Sequence, residues 1–287
     1  MILKNAKIMD DTFTLVDACL STEGERIADI APDLHGEEEI DLAGCVVVPG
    51  FVDIHIHACV GADTCDASTA GLAKMAAHLV TKGVTSFCPT TMTVSHEEIE
   101  DALATVKACM DDRPFGAAIM GVNMEGPYIS INKKGAQKGE YVKNPNWEEF
   151  KGFYDGCGGI IKVVDIAPEC EGAEEFIREV QPYCPVSIAH TAADYDQAVR
   201  AIEGGVRHAT HLYNAMSGLT HRGPGVVGAC FDMGRTYGLQ AELICDGFHI
   251  HPAALRVAFS QMGEDGTVIV SDSMCAAGHK DGEYDLG

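Results

Sequence analysis

From residue 51 onward, short continuous apolar runs alternate with longer stretches in which apolar residues recur at helical spacing. The runs at 50–57, 85–92, 118–125, 161–168, 185–191, 208–214, 240–249 and 267–274 read as strands buried on both faces. Helical stretches fall between them. In 68–82, Leu72, Met75, Ala76 and Leu79 share one face. In 96–110, Ser95 stands as N-cap with Glu98 three residues on, a capping box. Further helices are read at 171–180, 195–203 and 252–262. Eight strands in alternation with helices predict an α/β fold, a closed parallel (β/α)8 TIM-like barrel. The competing open doubly wound sheet lacks support, because no GxGxxG follows the first strand.

Residues 1–49 have another texture. Short apolar stretches (Ile2-Leu3, Ala6 to Met9, Cys45 to Val48) are separated by turn-rich acidic segments such as 33–39, with no helical period. This predicts a small N-terminal β-module over 1–49, a break at Pro49-Gly50, and the barrel over 50–287. The length of 287 residues suits a barrel of about 250 residues with a small appendage. A formal net charge of −23 repels a polyphosphate backbone and argues against nucleic acid as a partner. A small anionic ligand remains compatible, provided that cations lie close to it. The 12 cysteines form no CxxC pair and read as reduced thiols of a cytoplasmic protein. Cys59 and Cys275 are expected to line the site rather than to bind metal. No apolar run reaches the roughly 18–20 residues that span a bilayer. The opening Met1 to Ile8 reads as a strand rather than an export signal, so no membrane association is expected.

In such a barrel, functional groups collect at the C-terminal ends of the strands, and here those ends are crowded with ligand-type side chains. The first strand ends His55-Ile56-His57, the third Glu125, the fifth His190; the sixth carries His211, the seventh ends Asp246-Gly247-Phe248-His249, and the eighth carries Asp272. His55 and His57 are two residues apart and so point to the same side of their strand. Imidazole nitrogen and carboxylate oxygen suit a borderline divalent metal. A lone histidine after an apolar run is usually a satisfied core residue, but a set spread over five strand ends is better explained by a metal site. His35, His78, His96 and His279 are read as structural or solvated, His208 as lying at the wrong end of its strand, and His251 as a weaker candidate than His249. Asp53 lies deeper than His55 and is assigned a supporting role.

The residues Pro49-Gly50-Phe51-Val52-Asp53-Ile54-His55-Ile56-His57 resemble the PGxxDxHxH signature of the amidohydrolase superfamily. Asn123-Met124-Glu125-Gly126-Pro127-Tyr128, Lys133-Lys134-Gly135-Ala136, Ala189-His190-Thr191, Thr210-His211-Leu212-Tyr213-Asn214-Ala215-Met216, His221-Arg222-Gly223-Pro224-Gly225, Asp246-Gly247-Phe248-His249 and Ser271-Asp272-Ser273-Met274 narrow the match. In that order, over essentially the whole chain, they resemble the N-acetylglucosamine-6-phosphate deacetylase family. The resemblance implies a divalent metal, Zn2+ with Fe2+, Mn2+ or Co2+ as alternatives, held by Glu125, His190 and His211. A second ion would use His55 and His57. It implies Asp272 as the catalytic aspartate and His249 as the group that polarises the carbonyl. Ala136, Asn214, Ala215 and Arg222 would hold the sugar phosphate, in a homodimer whose neighbouring subunit completes the phosphate pocket.

The sequence departs from some members at Gly223, where they have Glu, and at Gln137, where they have His. The family also continues past position 287 through a last barrel helix that returns to the β-module. The chain is therefore expected to be a piece of a longer protein, with residues 1–49 short of strand partners and their sheet edges open. The alternatives are the N-acetylgalactosamine-6-phosphate enzyme, a cyclic amidase, or a non-catalytic metal- or sugar-binding barrel. A cyclic amidase carries a bridging lysine on the fourth strand. The only lysine there, Lys162, stands at the strand's start.

Overall fold

Apolar and polar residues alternate along β1 (Ile2–Met9), which buries Ile2, Ala6 and Ile8. An antiparallel return through β2 (Leu15–Glu23) supplies Ala18 and Leu20 to the same small core. β3 (Arg26–Ala31) extends the sheet on β2, while β4 (Glu39–Asp41) and β5 (Val46–Val47) pair in parallel with β1. The order β3-β2-β1-β4, with β5 also on β1, makes β1 the central strand. Residues 1–49 pair with one another, because the turn at 10–14 brings β2 back along β1, and β3 and β4 stand at the ends of the strand order.

This computed structural model describes residues 1–284, and the chain divides into two units, Met1–Phe51 and Val52–Gly287. The second is the expected barrel. Its strands begin with β6 (Phe51–Ile56), followed by a short hairpin of β7 (Ala58–Cys59) and β8 (Ala62–Asp63) and then β9 (Val84–Thr91). β10 (Ala118–Ile119) and β11 (Val122–Met124) both lie parallel to β9 and act as one interrupted strand, broken at Gly121 with φ +145°. β12 (Ile161–Ile166), β13 (Val186–Ile188), β14 (His208–Ala209), β15 (Gln240–Ile244) and β16 (Thr267–Val270) follow, each parallel to its neighbour. β6 pairs with β9. The ring is completed beyond the end of β16, where Asp272 N donates to His55 O (2.9 Å) and Ser271 N to Asp53 Oδ1 (3.3 Å).

Several strands stop short of the predicted ranges. The expected strand 208–214 is only His208–Ala209, and 185–191 only Val186–Ile188. His190, His211 and Asp272 take φ of +40°, +33° and +46°, a left-handed conformation that ends strand geometry and that side chains with a Cβ rarely adopt.

Helices α1 (Thr69–Val80) and α2 (His96–Asp112) bury the predicted faces, and the Ser95–Glu98 capping box is formed. α3 (Trp147–Gly156), α4 (Ala173–Val180), α5 (Tyr195–Gly204), α6 (Gly225–Tyr237) and α7 (Pro252–Met262) complete the outer layer. Helices α3 and α6 were not among those expected from the pattern of apolar residues. α6 contains Gly225, Gly228 and Gly234, which weaken the intrinsic helix preference. Close packing offsets this: a Cβ on Gly234 would come within 2.9 Å of Met262 Cε. Between the layers Phe176 stacks against Tyr128 (5.1 Å between centroids) and Phe150 (5.5 Å). Among the described residues no helix is long and apolar enough to cross a membrane.

Asp53 is buried, and its Oδ1 accepts from both His55 N and Ser271 N, so one oxygen pins the two strands at the barrel seam. Asp53→Ala leaves both donors unpaired and should cost about 1–3 kcal/mol in urea unfolding. Asp53→Asn keeps an acceptor and should remain within about 1 kcal/mol of the parent. Equal stabilities for Ala and parent would remove Asp53 from the seam.

Candidate metal and catalytic site

The turned strand ends bring the ligand-type side chains to one place. Glu125 follows β11, and the next residue, Gly126, takes φ +82° in a spot where a Cβ would lie 2.0 Å from Thr93 Oγ1. Glycine is therefore required for the chain to turn there beneath Thr93. Glu125 Oε1 lies 3.1 Å from His190 Nε2 and 3.0 Å from His211 Nε2, and Oε2 lies 3.2 Å from His57 Nε2. His55 Nε2 is 3.3 Å from His57 Nε2 and 3.7 Å from Glu125 Oε1. Asp272 Oδ1 closes the set at 3.4 Å from His55 Nε2 and 3.3 Å from His57 Nε2.

Two overlapping groups, His55–His57–Glu125 and Glu125–His190–His211, each have their ligand atoms within 4.8 Å of one another, and all five residues are buried. Three of the imidazoles have the far nitrogen engaged. Nδ1 of His57 donates to Thr90 O (3.2 Å), that of His190 to Lys133 O (2.8 Å), and that of His55 to Glu242 Oε2 (2.7 Å). A proton held on Nδ1 leaves the Nε2 lone pair facing the centre, the tautomer that a metal ligand needs. His211 Nδ1 has no partner. Lone pairs converging at 3.2–3.3 Å between rings repel unless a cation or added protons lie among them. The donor set thus fits one or two divalent ions.

A cavity of about 240 Å3 opens over this cluster. Glu125, His57, His190, His211 and Asp272 form its floor, and Ala136, Gln137, Asn214, Ala215 and His249 its wall. Met92 and Met274 complete the lining, and Cys59 and Cys275, expected there, are not part of it. His249 is half-exposed, with Nδ1 2.7 Å from Asp246 Oδ2; Asp246 Oδ1 also accepts from Phe248 N and His249 N. Arg222, expected at the sugar phosphate, is exposed and is not among the residues lining this cavity. His251 caps α7 through Ala253 N.

Three residues escaped the sequence reading. Glu242 is wholly buried against His55. Its neighbour His208, taken for a structural residue at the wrong end of its strand, lies with Nε2 3.7 Å from Glu242 Oε1. Gln137, noted only as a departure, is buried, donates to Glu125 Oε2 (2.5 Å) and accepts from Thr93 N (2.6 Å). An acidic residue inside the apolar run of β15 was the available signal for Glu242. Lys162, at the start of β12, is exposed, and the fourth strand instead turns Asp165 inward, where it accepts from Thr210 Oγ1 (2.9 Å).

Comparison with known proteins fits this geometry. The Amidohydrolase family matches residues 46–279. An N-acetylglucosamine-6-phosphate deacetylase of Bacillus subtilis is 37% identical over the whole of this chain and 74% of its own length. One from Lysinibacillus sphaericus is 35% identical over 91% of this chain and 68% of its own. The solved structure of a variant of the Mycobacterium smegmatis N-acetyl-D-glucosamine-6-phosphate deacetylase, in complex with N-acetyl-D-glucosamine-6-phosphate, superposes with a TM-score of 0.88 at 29% identity, covering all of this chain and 74% of the other. The chain thus spans about three quarters of the length of the first of these relatives.

The carboxylates and imidazoles of the cluster shift one another's proton affinity. Burial opposes charge on His57, but Asp272 and Glu125 outweigh it and raise its pKa to about 9. His55 is raised well above its usual value against the same burial, by Glu242, Asp272 and Glu125. Burial acts to raise the Glu125 carboxyl, yet His190, His211 and His57 hold it well below the usual range. A raised folded pKa means stability that is complete below the unfolded value of 6.5 and lost as pH rises through about 9. Chelator-treated protein should therefore melt at steadily lower temperature between pH 6.5 and 9. Metal-loaded protein should show the reverse trend over the same window, because ligation requires neutral imidazoles. Parallel slopes for the two forms would show that the imidazoles are not the ligands.

Proposed function

This chain belongs to the amidohydrolase family and, within it, to the N-acetylglucosamine-6-phosphate deacetylases, and on that premise we propose that it hydrolyses the N-acetyl amide of N-acetylglucosamine 6-phosphate to glucosamine 6-phosphate and acetate. The observation that carries this reading is the convergence of four imidazole Nε2 atoms on Glu125, with Asp272 against two of them, beneath a cavity of sugar size. We assign the principal ion to Glu125, His190 and His211 and a second to His55 and His57, with Zn2+ as the expected metal.

A divalent cation held by these residues would supply Lewis-acid polarisation of the amide carbonyl and a more nucleophilic water at neutral pH. Asp272 takes a proton from the attacking water as the C–O bond forms, and passes it to the amine nitrogen as the C–N bond breaks. His249 donates from Nε2 to the carbonyl oxygen as charge develops on it. With Nδ1 engaged by Asp246, that donation needs a ring carrying both protons. Ala136, Asn214 and Ala215 orient the sugar. Arg222 grips the phosphate as a planar fork. We expect a homodimeric enzyme in which the neighbouring subunit completes the phosphate pocket. The expected setting is the cytoplasm, where phosphorylated amino sugars are catabolised.

Asp272→Asn keeps an oxygen near the imidazoles but removes the proton acceptor. It should lower kcat by about 10²–10⁴-fold while metal content stays unchanged; near-normal acetate release would remove Asp272 from the acid–base role. Arg222→Ala should raise KM for the phosphorylated sugar far more than for N-acetylglucosamine itself, and equal changes would argue against a phosphate contact. Rates of acetate release from the gluco and galacto 6-phosphates, compared on metal-loaded protein, decide the sugar.

A further inference from the structure

The most unusual group in the barrel outside the cluster is Glu242. It is fully buried in the middle of β15, flanked by Ala241, Leu243 and Ile244. A carboxylate in such a place is costly unless its oxygens are engaged. Glu242 Oε2 accepts from His55 Nδ1 at 2.7 Å and from the backbone N of His211 at 3.1 Å. One oxygen thus holds a histidine from each of the two ligand groups, across β6 and the end of β14, and fixes their rings 5.6 Å apart. Oε1 has no hydrogen-bond partner and faces His208 Nε2 at 3.7 Å. His208 is itself oriented by Ser187 Oγ (2.9 Å), which meets Thr210 Oγ1 (2.6 Å), which donates to Asp165. The polar row thus reaches Glu242 only as a charge contact at 3.7 Å, and the bonds that fix the carboxylate are those of Oε2 to His55 and His211.

We propose that Glu242 is a positioning residue that makes the His55–His57 pair competent to hold a second divalent ion. It acts through His55. The carboxylate keeps the proton on Nδ1, so Nε2 presents its lone pair to the centre, and a negative neighbour makes that nitrogen a stronger donor. His57 and His190 receive the same service from neutral backbone carbonyls; among the described residues only His55 has a buried carboxylate behind it. His211 is bonded to Glu242 only through its backbone, and its ring does not depend on that carboxylate for its tautomer. The consequence is selective: loss of the charge at 242 weakens the ion at His55–His57 and spares the one at Glu125–His190–His211. This inference rests on the metal reading above and goes beyond it in assigning a residue to one ion only.

The test is Zn2+ binding to chelator-treated protein, measured by titration calorimetry against a competing chelator and by metal analysis, for the parent and Glu242→Gln. The parent should bind two ions. Glu242→Gln should lose about 10–100-fold in affinity for the weaker ion while the tighter one stays within about threefold. In a His55→Gln background, which itself lacks the second ion, adding Glu242→Gln should change nothing further. Two ions bound by Glu242→Gln with parental affinities overturn the inference, as does an equal loss at both ions, which would mark a general structural role. A parent that binds one ion also overturns it but leaves the proposed hydrolase standing, whereas a parent that binds none ends both. If Glu242→Gln does not fold, Zn2+-loaded, histidine-labelled parent protein decides the matter by NMR. A proton on His55 Nδ1, shifted far downfield and absent from His55→Gln, supports the inference; a proton on Nε2 overturns it.

Discussion

Buried imidazoles that face one another with unprotonated nitrogens are unstable company, and the mouth of this barrel is built around that constraint. Four Nε2 atoms and two carboxylates crowd within hydrogen-bond distance of one another. Carbonyls and a carboxylate behind the rings hold three of them in the tautomer that points the lone pair inward. Such an arrangement must bind cations, either protons or a metal. Against burial, the neighbouring carboxylates hold His55, His57 and His211 above their usual range, and the imidazoles hold Glu125 and Asp272 below theirs.

The backbone accepts strain to reach this arrangement. His190, His211 and Asp272 all adopt positive φ immediately after their strands, at a cost of order 1–3 kcal/mol each. That twist turns the side chains off the strand direction and into the barrel mouth. It also ends β13, β14 and β16 earlier than their apolar runs do. The surrounding structure supplies the restraint: Ser130 N donates to His190 O, Leu212 N to Glu242 O, and Asp272 N to His55 O. The ligand geometry and the truncation of the strands are one fact seen twice.

Below the ligands lies a second polar level, made of Glu242, His208, Ser187, Thr210 and Asp165, in what would otherwise be an apolar barrel interior. Asp165 shows how tense this level is: burial, with Glu125 and Glu242 nearby, raises its carboxyl well above the usual range, so it is the member of the row most readily kept neutral. The groups this row meets through Glu242 are His55 and the backbone of His211.

Local pattern was enough to read the barrel, its strand count, the faces of α1 and α2 and the capping box at Ser95, because each depends on residues within a few positions of one another. The ligand-type residues stood out for the same reason: a histidine or carboxylate after an apolar run is visible in one dimension, and the two-residue step of His55 and His57 sets them on one face. The glycine-rich α6 was hidden, since its stability comes from close packing and not from propensity. Glu242, His208 and Gln137 were hidden too, because their meaning lies in partners 187, 34 and 12 residues away. The sequence by itself determined which side chains could bind a cation and that a ring of strands would carry them. Tertiary structure alone decided which nitrogen of each ring faces inward, which carboxylate stands behind it, and that Arg222 lies outside the cavity wall, because those outcomes are set by hydrogen bonds and packing between strands that the chain brings together only when the barrel closes.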